Sequence, residues 1–220
     1  MKKIALLTAL SAAFLQGCAP LLVGGAATGV MIADDRRTTG TVIDDKTLQL
    51  YISNRIASIP RLAENSHVNV NTFNGLVLLT GEAANETIRQ DIETVARAME
   101  GTVNVNNHMI IGPMSSLINR SYDAAQTAKV KTVMLDVKVE GFNPNRVKVV
   151  TEHGITYLMG IVTQQEANAI ANVASRVSGV AQVVTMFEIN NQINHLNQPF
   201  ANEQIPNVRR YDSQNLQNQP

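Results

Sequence analysis

Two glycine-centred turns, repeated at one fixed offset, constrain this chain more than any other feature. Gly75 and Gly154 stand 79 positions apart, as do Gly81 and Gly160, and the hydrophobic pattern around both pairs matches as well. Asn74-Gly75 separates β-type runs at 68–73 and 76–80, and His153-Gly154 separates runs at 147–151 and 155–159. That pattern predicts two tight hairpins whose turns need positive φ, which Gly supplies at little cost.

After each hairpin the apolar period changes from two to 3.6. Ile88, Ile92, Val95, Ala96 and Met99 fall on one helical face, with Asn85 as the expected cap. In the later copy Ala167, Ile170, Ala171, Ala174 and Val177 do the same, and Thr163 with Glu166 forms a capping box. Gly101 and Gly179 end these helices before third strands at 103–111 and 180–189. A further helix precedes each hairpin, at 45–57 and about 123–135, with Asp45 expected as the first N-cap. The reading is an α+β chain of two tandem αββαβ units, 45–112 and 120–190, each a three-stranded mixed sheet covered by two helices. A sheet that small needs a packed face.

The chain around these units is 220 residues long and has zero formal net charge, so no global field recruits nucleic acid. It has no Trp, which argues against a base-stacking or sugar-binding platform. Its one Cys, Cys18, excludes an internal disulfide or a thiolate metal cluster. Lys2 and Lys3, the apolar stretch 4–15 and Leu15-Gln16-Gly17-Cys18 resemble the leader and cleavage box of bacterial lipoproteins. The resemblance implies that 1–17 is a signal peptide removed before Cys18, and that Cys18 is acylated (palmitate or its like). An ordinary secretory signal and an uncleaved anchor are the competing readings. Three acyl chains at roughly 0.8 kcal/mol per buried methylene anchor a protein effectively for good. Ala19 rather than Asp after the Cys points to the periplasmic face of the outer membrane.

Residues 18–44 read as a flexible lipidated linker, whose apolar part, 19–33, is rich in Gly (Gly24, Gly25 and Gly29) and too short to span a bilayer. Beyond 190 the composition turns to Asn and Gln, so 191–220 is expected to be a disordered tail. His67, His108, His153 and His195 are scattered without an i, i+4 pair, and no metal site, cofactor or catalytic constellation is expected. Asn69, Asn71, Asn104 and Asn106 alternate with Val, which reads as the solvated face of half-buried strands.

The lipobox, Asp35-Arg36-Arg37-Thr38-Thr39-Gly40-Thr41, Gly-x-Val-x-Leu-Thr-Gly at 75–81, and Leu158-Met159-Gly160-Ile161-Val162-Thr163 followed by Ala174-Ser175-Arg176-Val177-Ser178-Gly179-Val180 together resemble the double-BON-domain outer-membrane lipoproteins. The match runs over about residues 1–190. It implies a membrane-associated binding module, not an enzyme, that binds anionic phospholipids and supports cell-envelope integrity. The alternative it leaves open is a protein-interaction adaptor for outer-membrane protein assembly or division-site machinery, without direct lipid recognition.

In that family the lipid contact lies on the first helix of the second unit, which here carries Ala125, Lys129, Lys131 and Thr132 beside a core stripe of Gln126, Val130, Val133/Met134 and Val137. Four basic residues against two acidic ones over 120–138 suit phosphate headgroups. A solvated helix face is the competing reading. Where an enteric relative has an interfacial Trp, this chain has Ala125, which weakens the expected apolar anchor. The Cys18 assignment is checked directly: Cys18→Ala leaves an unprocessed precursor that takes up no fatty-acid label, and undiminished labelling refutes it.

Overall fold

The computed structural model describes residues 35–192, so Cys18, the leader and the Asn/Gln-rich tail lie outside it. The element order is α1 (Thr39–Ala57), a single helical turn α2 (Pro60–Ala63), β1 (Ser66–Phe73), β2 (Leu76–Ala83), α3 (Glu86–Arg97), β3 (Asn104–Asn107) and β4 (Ile110–Ile111). The second unit follows as α4 (Leu117–Met134), a 3-10 turn at Pro144–Arg146, β5 (Val147–Glu152), β6 (Ile155–Val162), α5 (Gln164–Ser175) and β7 (Gln182–Ile189).

Both hairpins form as their sequences require. Asn74 and Gly75 have φ of 52° and 74°, and His153 and Gly154 have 52° and 73°, so all four residues are left-handed, as a two-residue primed turn demands. β1 and β2 pair antiparallel, and β3 and β4 then pair parallel to β2. The second sheet repeats the order, with β6 between β5 and β7. The third strand of the first unit is interrupted at His108 and Met109, where Met109 is buried in the core.

Three local readings hold. Asn85 accepts from the Ile88 amide at 3.0 Å, the Thr163–Glu166 capping box is complete, and Gly101 and Gly179 are left-handed at φ 89° and 95°. The starts of the two leading helices differ from the sequence reading. Thr38 and Ser116 are the caps, accepting from the amides of Thr41 and Asn119, so both helices begin about six residues early. Asp45 is therefore inside α1 and buried, and it does other work. Its carboxylate accepts from the Asn74 and Gly75 amides at 2.6 and 2.9 Å. Asp123 holds the second turn in the same way, accepting from His153 and Gly154 at 3.0 Å each. These two donors of a primed turn point outward, and a carboxylate on the neighbouring helix satisfies both.

Each pair of long helices covers one face of its sheet. Leu48, Ile52 and Ile56 of α1 meet Ile88, Ile92 and Ala96 of α3 over Val70, Val77, Leu79 and Val105. In the second unit Val130 and Met134 meet Ala167, Ile170 and Ala174 over Val147, Val149, Leu158 and Val162. The opposite faces of the two sheets pack on each other. Phe73, Leu78, Tyr157 and Met159 are buried there, with Leu76, Val150, Ile155, Val184 and Met186 around them. This overturns the solvated reading for Asn69 and Asn106, while Asn104 is exposed as expected. Asn69 donates to Glu152 at 2.6 Å, and Asn106 lies 3.4 Å from the Met186 sulfur.

Residues 35–44, read as linker from their polarity, are also ordered, because their charges find partners in both units. Arg36 makes a two-pronged pair with Glu166 at 2.6 and 2.8 Å and donates to the Ile161 carbonyl. Arg37 pairs with Asp35 and Asp45 and lies over the Phe73 ring at 3.9 Å. At the same seam Lys148 reaches the Thr72 carbonyl at 3.3 Å. Burial, reinforced by Lys46 and Arg37, lowers the Lys148 ammonium from 10.5 to about 8.

Two outcomes follow. Gly75 and Gly154 share one backbone conformation, but a Cβ at Gly75 meets Val103 Cγ2 at 2.6 Å and the Gly101 carbonyl at 3.0 Å, whereas at Gly154 the nearest atom is 3.7 Å away. Gly154→Ala is expected to lose about 1 kcal/mol from the left-handed backbone alone, and Gly75→Ala about 2–4 kcal/mol, measured by chemical denaturation. The second concerns pH. Between the folded value of about 8 and the ordinary 10.5, the unfolded chain binds the Lys148 proton more tightly, so stability rises with pH across that window. Relative to Lys148→Met, the wild type should gain on the order of 1–2 kcal/mol between about pH 7.5 and 9.5.

Candidate functional site

The second leading helix, α4, presents the surface on which the sequence-predicted residues lie. Gln126, Val130 and Met134 are buried at spacings of four, which fixes the helix against its sheet and turns the opposite side to solvent. Ala125, Lys129, Lys131 and Thr132 are all exposed. They do not form one cluster. Lys129 and Ala125 line a groove of about 380 Å³ with Asn119, Tyr122, His153 and Gly179. Lys131 and Thr132 line a separate, smaller one with Leu135, Pro144 and Asn145. The Thr132 hydroxyl is turned back onto the Ala128 carbonyl at 3.0 Å.

The groove beside Lys129 is built by the fold. Asp123 holds the His153-Gly154 turn against the helix, and the Gln126 amide donates to the Ser178 carbonyl at 2.9 Å. A Cβ on Gly179 would lie 1.7 Å from the Gln126 Nε2 and displace that amide, and the backbone there, at φ 95°, favours Gly as well. Lys129 and Lys131 have no hydrogen-bond or ion-pair partner among the described residues, which leaves both ammonium groups available to anions.

Sequence reasoning missed the residues just before this surface, because it started the helix near Asp123. Leu117, Ile118 and Tyr122 are 77, 68 and 69% exposed on the first turns of α4, and Met114 precedes them at 50%. Ile118, Tyr122, Ala125, Lys129 and Thr132 step by four, three, four and three, so they form one stripe. The signal that could have found them is Ser116, a cap residue followed by an apolar pair.

A second set of polar groups sits between the sheets, where no site was expected. His67 and Glu82 come from the first unit, and Glu152 and His153 from the second. His67 Nδ1 is 3.0 Å from Glu82 Oε2, and His153 Nε2 is 2.7 Å from Glu82 Oε1. Glu152 accepts from Asn69 and, at 3.4 Å, from the Thr80 hydroxyl. Glu82 is completely buried. Burial alone would raise its pKa, but the polar groups of Ser115 and His67, with His153 nearby, outweigh that and hold the carboxyl below its usual range. Burial lowers the His108 imidazole, which packs edge-on against Tyr157 at 5.0 Å. Thus two of the four sequence-scattered histidines converge on one carboxylate, while His195 lies outside the described residues.

Comparison with known proteins shows the family. The model of the BON domain matches residues 44–113 and 122–191. Outer membrane lipoprotein DolP of Haemophilus influenzae is 37% identical over 189 residues, 86% of this chain and 96% of that protein. The 21 kDa hemolysin of Actinobacillus pleuropneumoniae is 31% identical, covering 68% of this chain and 76% of that one. Osmotically-inducible protein Y of Escherichia coli is 23% identical over 70% of this chain and 77% of its own length. None of these names is that of an enzyme. No described helix is long and apolar enough to cross a membrane.

Proposed function

This chain belongs to the BON domain family as a double-BON outer-membrane lipoprotein, lipid-anchored at that membrane, and from that premise we propose that its second unit binds anionic phospholipid through α4 and so supports outer-membrane integrity. Cys18 is the anchoring residue in this proposal. The observation that carries the lipid reading is the solvent-facing stripe of α4, in which Ile118 and Tyr122, with Leu117 beside them, run without a break into Ala125 and Lys129. An aromatic ring with a polar tip suits the boundary between headgroups and acyl chains, and unpaired lysines suit phosphate. Tyr122, one turn before Ala125, supplies an amphipathic ring that Ala125 lacks.

The two parts of the stripe have different physical signatures. Each Lys near an anionic surface contributes about 1 kcal/mol at most, and that share is screened by salt. Insertion of Tyr122 and Ile118 depends on apolar area and is not screened. Thr132 closes the stripe, and Lys131 lies round the helix from its centre and acts in this reading as a flanking contact.

The test is cosedimentation of the chain from Asp35 onward with zwitterionic vesicles, with and without added phosphatidylglycerol. Wild type is expected to pellet only with the anionic lipid. Lys129→Glu with Lys131→Glu abolishes this, and salt near 1 M, where the Debye length is about 3 Å, weakens it. Tyr122→Ala lowers affinity at all salt concentrations, by roughly three- to tenfold for the lost ring. Binding that survives the charge reversal in a folded variant removes α4 as the lipid site and favours the adaptor reading, in which this stripe docks on outer-membrane assembly or division-site proteins.

A further inference from the structure

We infer that His67, Glu82 and Glu152 form a binding site for a divalent transition-metal ion of the zinc class, shared between the two units. One donor atom from each of the three lies within 4.8 Å of both others. Zinc bonds of about 2.0–2.2 Å to imidazole nitrogen and carboxylate oxygen put donors about 3.3 Å apart, so the widest pair has to close by about 1.5 Å. Side-chain torsions of two glutamates cover that distance without moving a strand. One imidazole and two carboxylates make a mixed nitrogen and oxygen set, which zinc takes readily with water in its remaining position.

The second observation is the state of Glu82. Its Oε1 is fully buried and has no hydrogen-bond partner, although His153 Nε2 lies 2.7 Å away. Those two atoms are in contact but out of line for a hydrogen bond. A second buried carboxylate, Glu152, faces the same space from the other sheet, with 5% of its surface exposed. Two buried carboxylates and an imidazole turned to one space present a donor set that a divalent cation takes.

The histidine in the second hairpin turn supports the same conclusion. A primed turn there requires a residue that tolerates positive φ, and Asn74 shows that asparagine fills the corresponding place in the first unit. His153 is not required by the turn. Its imidazole crosses to the other unit and meets Glu82 Oε1, while His67 meets Oε2. The metal would then tie β1 and β2 of the first unit to the end of β5 in the second, adding a clasp to the face-to-face packing of the sheets.

The experiment uses the full chain in detergent, free of a metal-affinity tag and stripped with EDTA, titrated calorimetrically with zinc chloride. Expected are saturable uptake of one zinc ion per chain and an unfolding midpoint that rises with free zinc. His67→Gln and Glu152→Gln should each weaken uptake at least about tenfold. His195→Gln should leave it unchanged. Glu152→Gln keeps an oxygen for Asn69 and Thr80, and circular dichroism in EDTA verifies that both variants are folded. Absence of saturable uptake by the wild type overturns the assignment whatever the variants do. So does uptake that both folded variants retain in full, which would place the ion elsewhere.

Discussion

A three-stranded sheet with helices on one side has a second side to dispose of, and the rest of this structure follows from how that is done. β2 and β6 are each the centre of their sheet, and both are buried on both faces. Val77 and Leu79 point into the helices of the first unit while Leu78, Thr80 and Glu82 point towards the second. In β6 Leu158 and Val162 face their own helices, and Tyr157 and Met159 face the first unit. Neither unit has enough helix to cover both sides of its sheet, so each serves as the other's second layer. Duplication of a half-covered unit thereby produces a whole.

A layer shared by two units also has to be held in one register, and the polar groups at the seam supply this. Apolar contacts among Phe73, Leu78, Tyr157 and Met159 give the attraction but tolerate sliding. Directional pairs do not. Asn74 to Glu188, Asn69 to Glu152, and Arg36 to Glu166 each match one residue near the first unit to one position on the second. The Arg36–Glu166 pair has side chains 11% and 2% exposed, so its net contribution to stability is small after desolvation, while removal of either partner strands a buried charge. Glu166 is also the capping-box residue of α5, which ties the start of that helix to the segment emerging from the linker.

What could be read from the sequence divides along the range of the interactions. Hairpin turns, the Asn85 cap and the Thr163–Glu166 box were legible because each is closed within a few residues. Asp45 was misread because acidic residues favour helix starts, and nothing local reveals that its carboxylate reaches the Asn74-Gly75 turn. Thr38 and Ser116 are equally good caps, and the apolar residues after Ser116 were hidden by a helix start placed too late. The alternation at Asn69 and Asn71 correctly gave a polar face. It could not say that another sheet would cover that face. Of the candidate site, the helix was picked out by the family resemblance and Ala125 and Lys129 were grouped on it by helical spacing, whereas Tyr122 and the meeting of His67, Glu82 and Glu152 depend on helix extent and on the docking of the units.

Anchoring changes what the α4 surface is required to achieve. A chain already held at the membrane by a lipid does not need its folded part to find the bilayer, because the tether replaces encounter by a high local concentration, in the millimolar range for short flexible linkers. If α4 binds lipid as proposed, two unpaired lysines and one amphipathic ring suffice to populate a bound state against such a concentration. Their effect is then orientation more than recruitment. Asp35, Arg36 and Arg37 join the linker to both units at once, so any contact made by α4 fixes the direction in which the whole sheet pair faces. A flexible junction at that point would let the units tumble beneath a fixed anchor. In the proposed reading the two arginines are therefore as much a part of membrane presentation as the lysines.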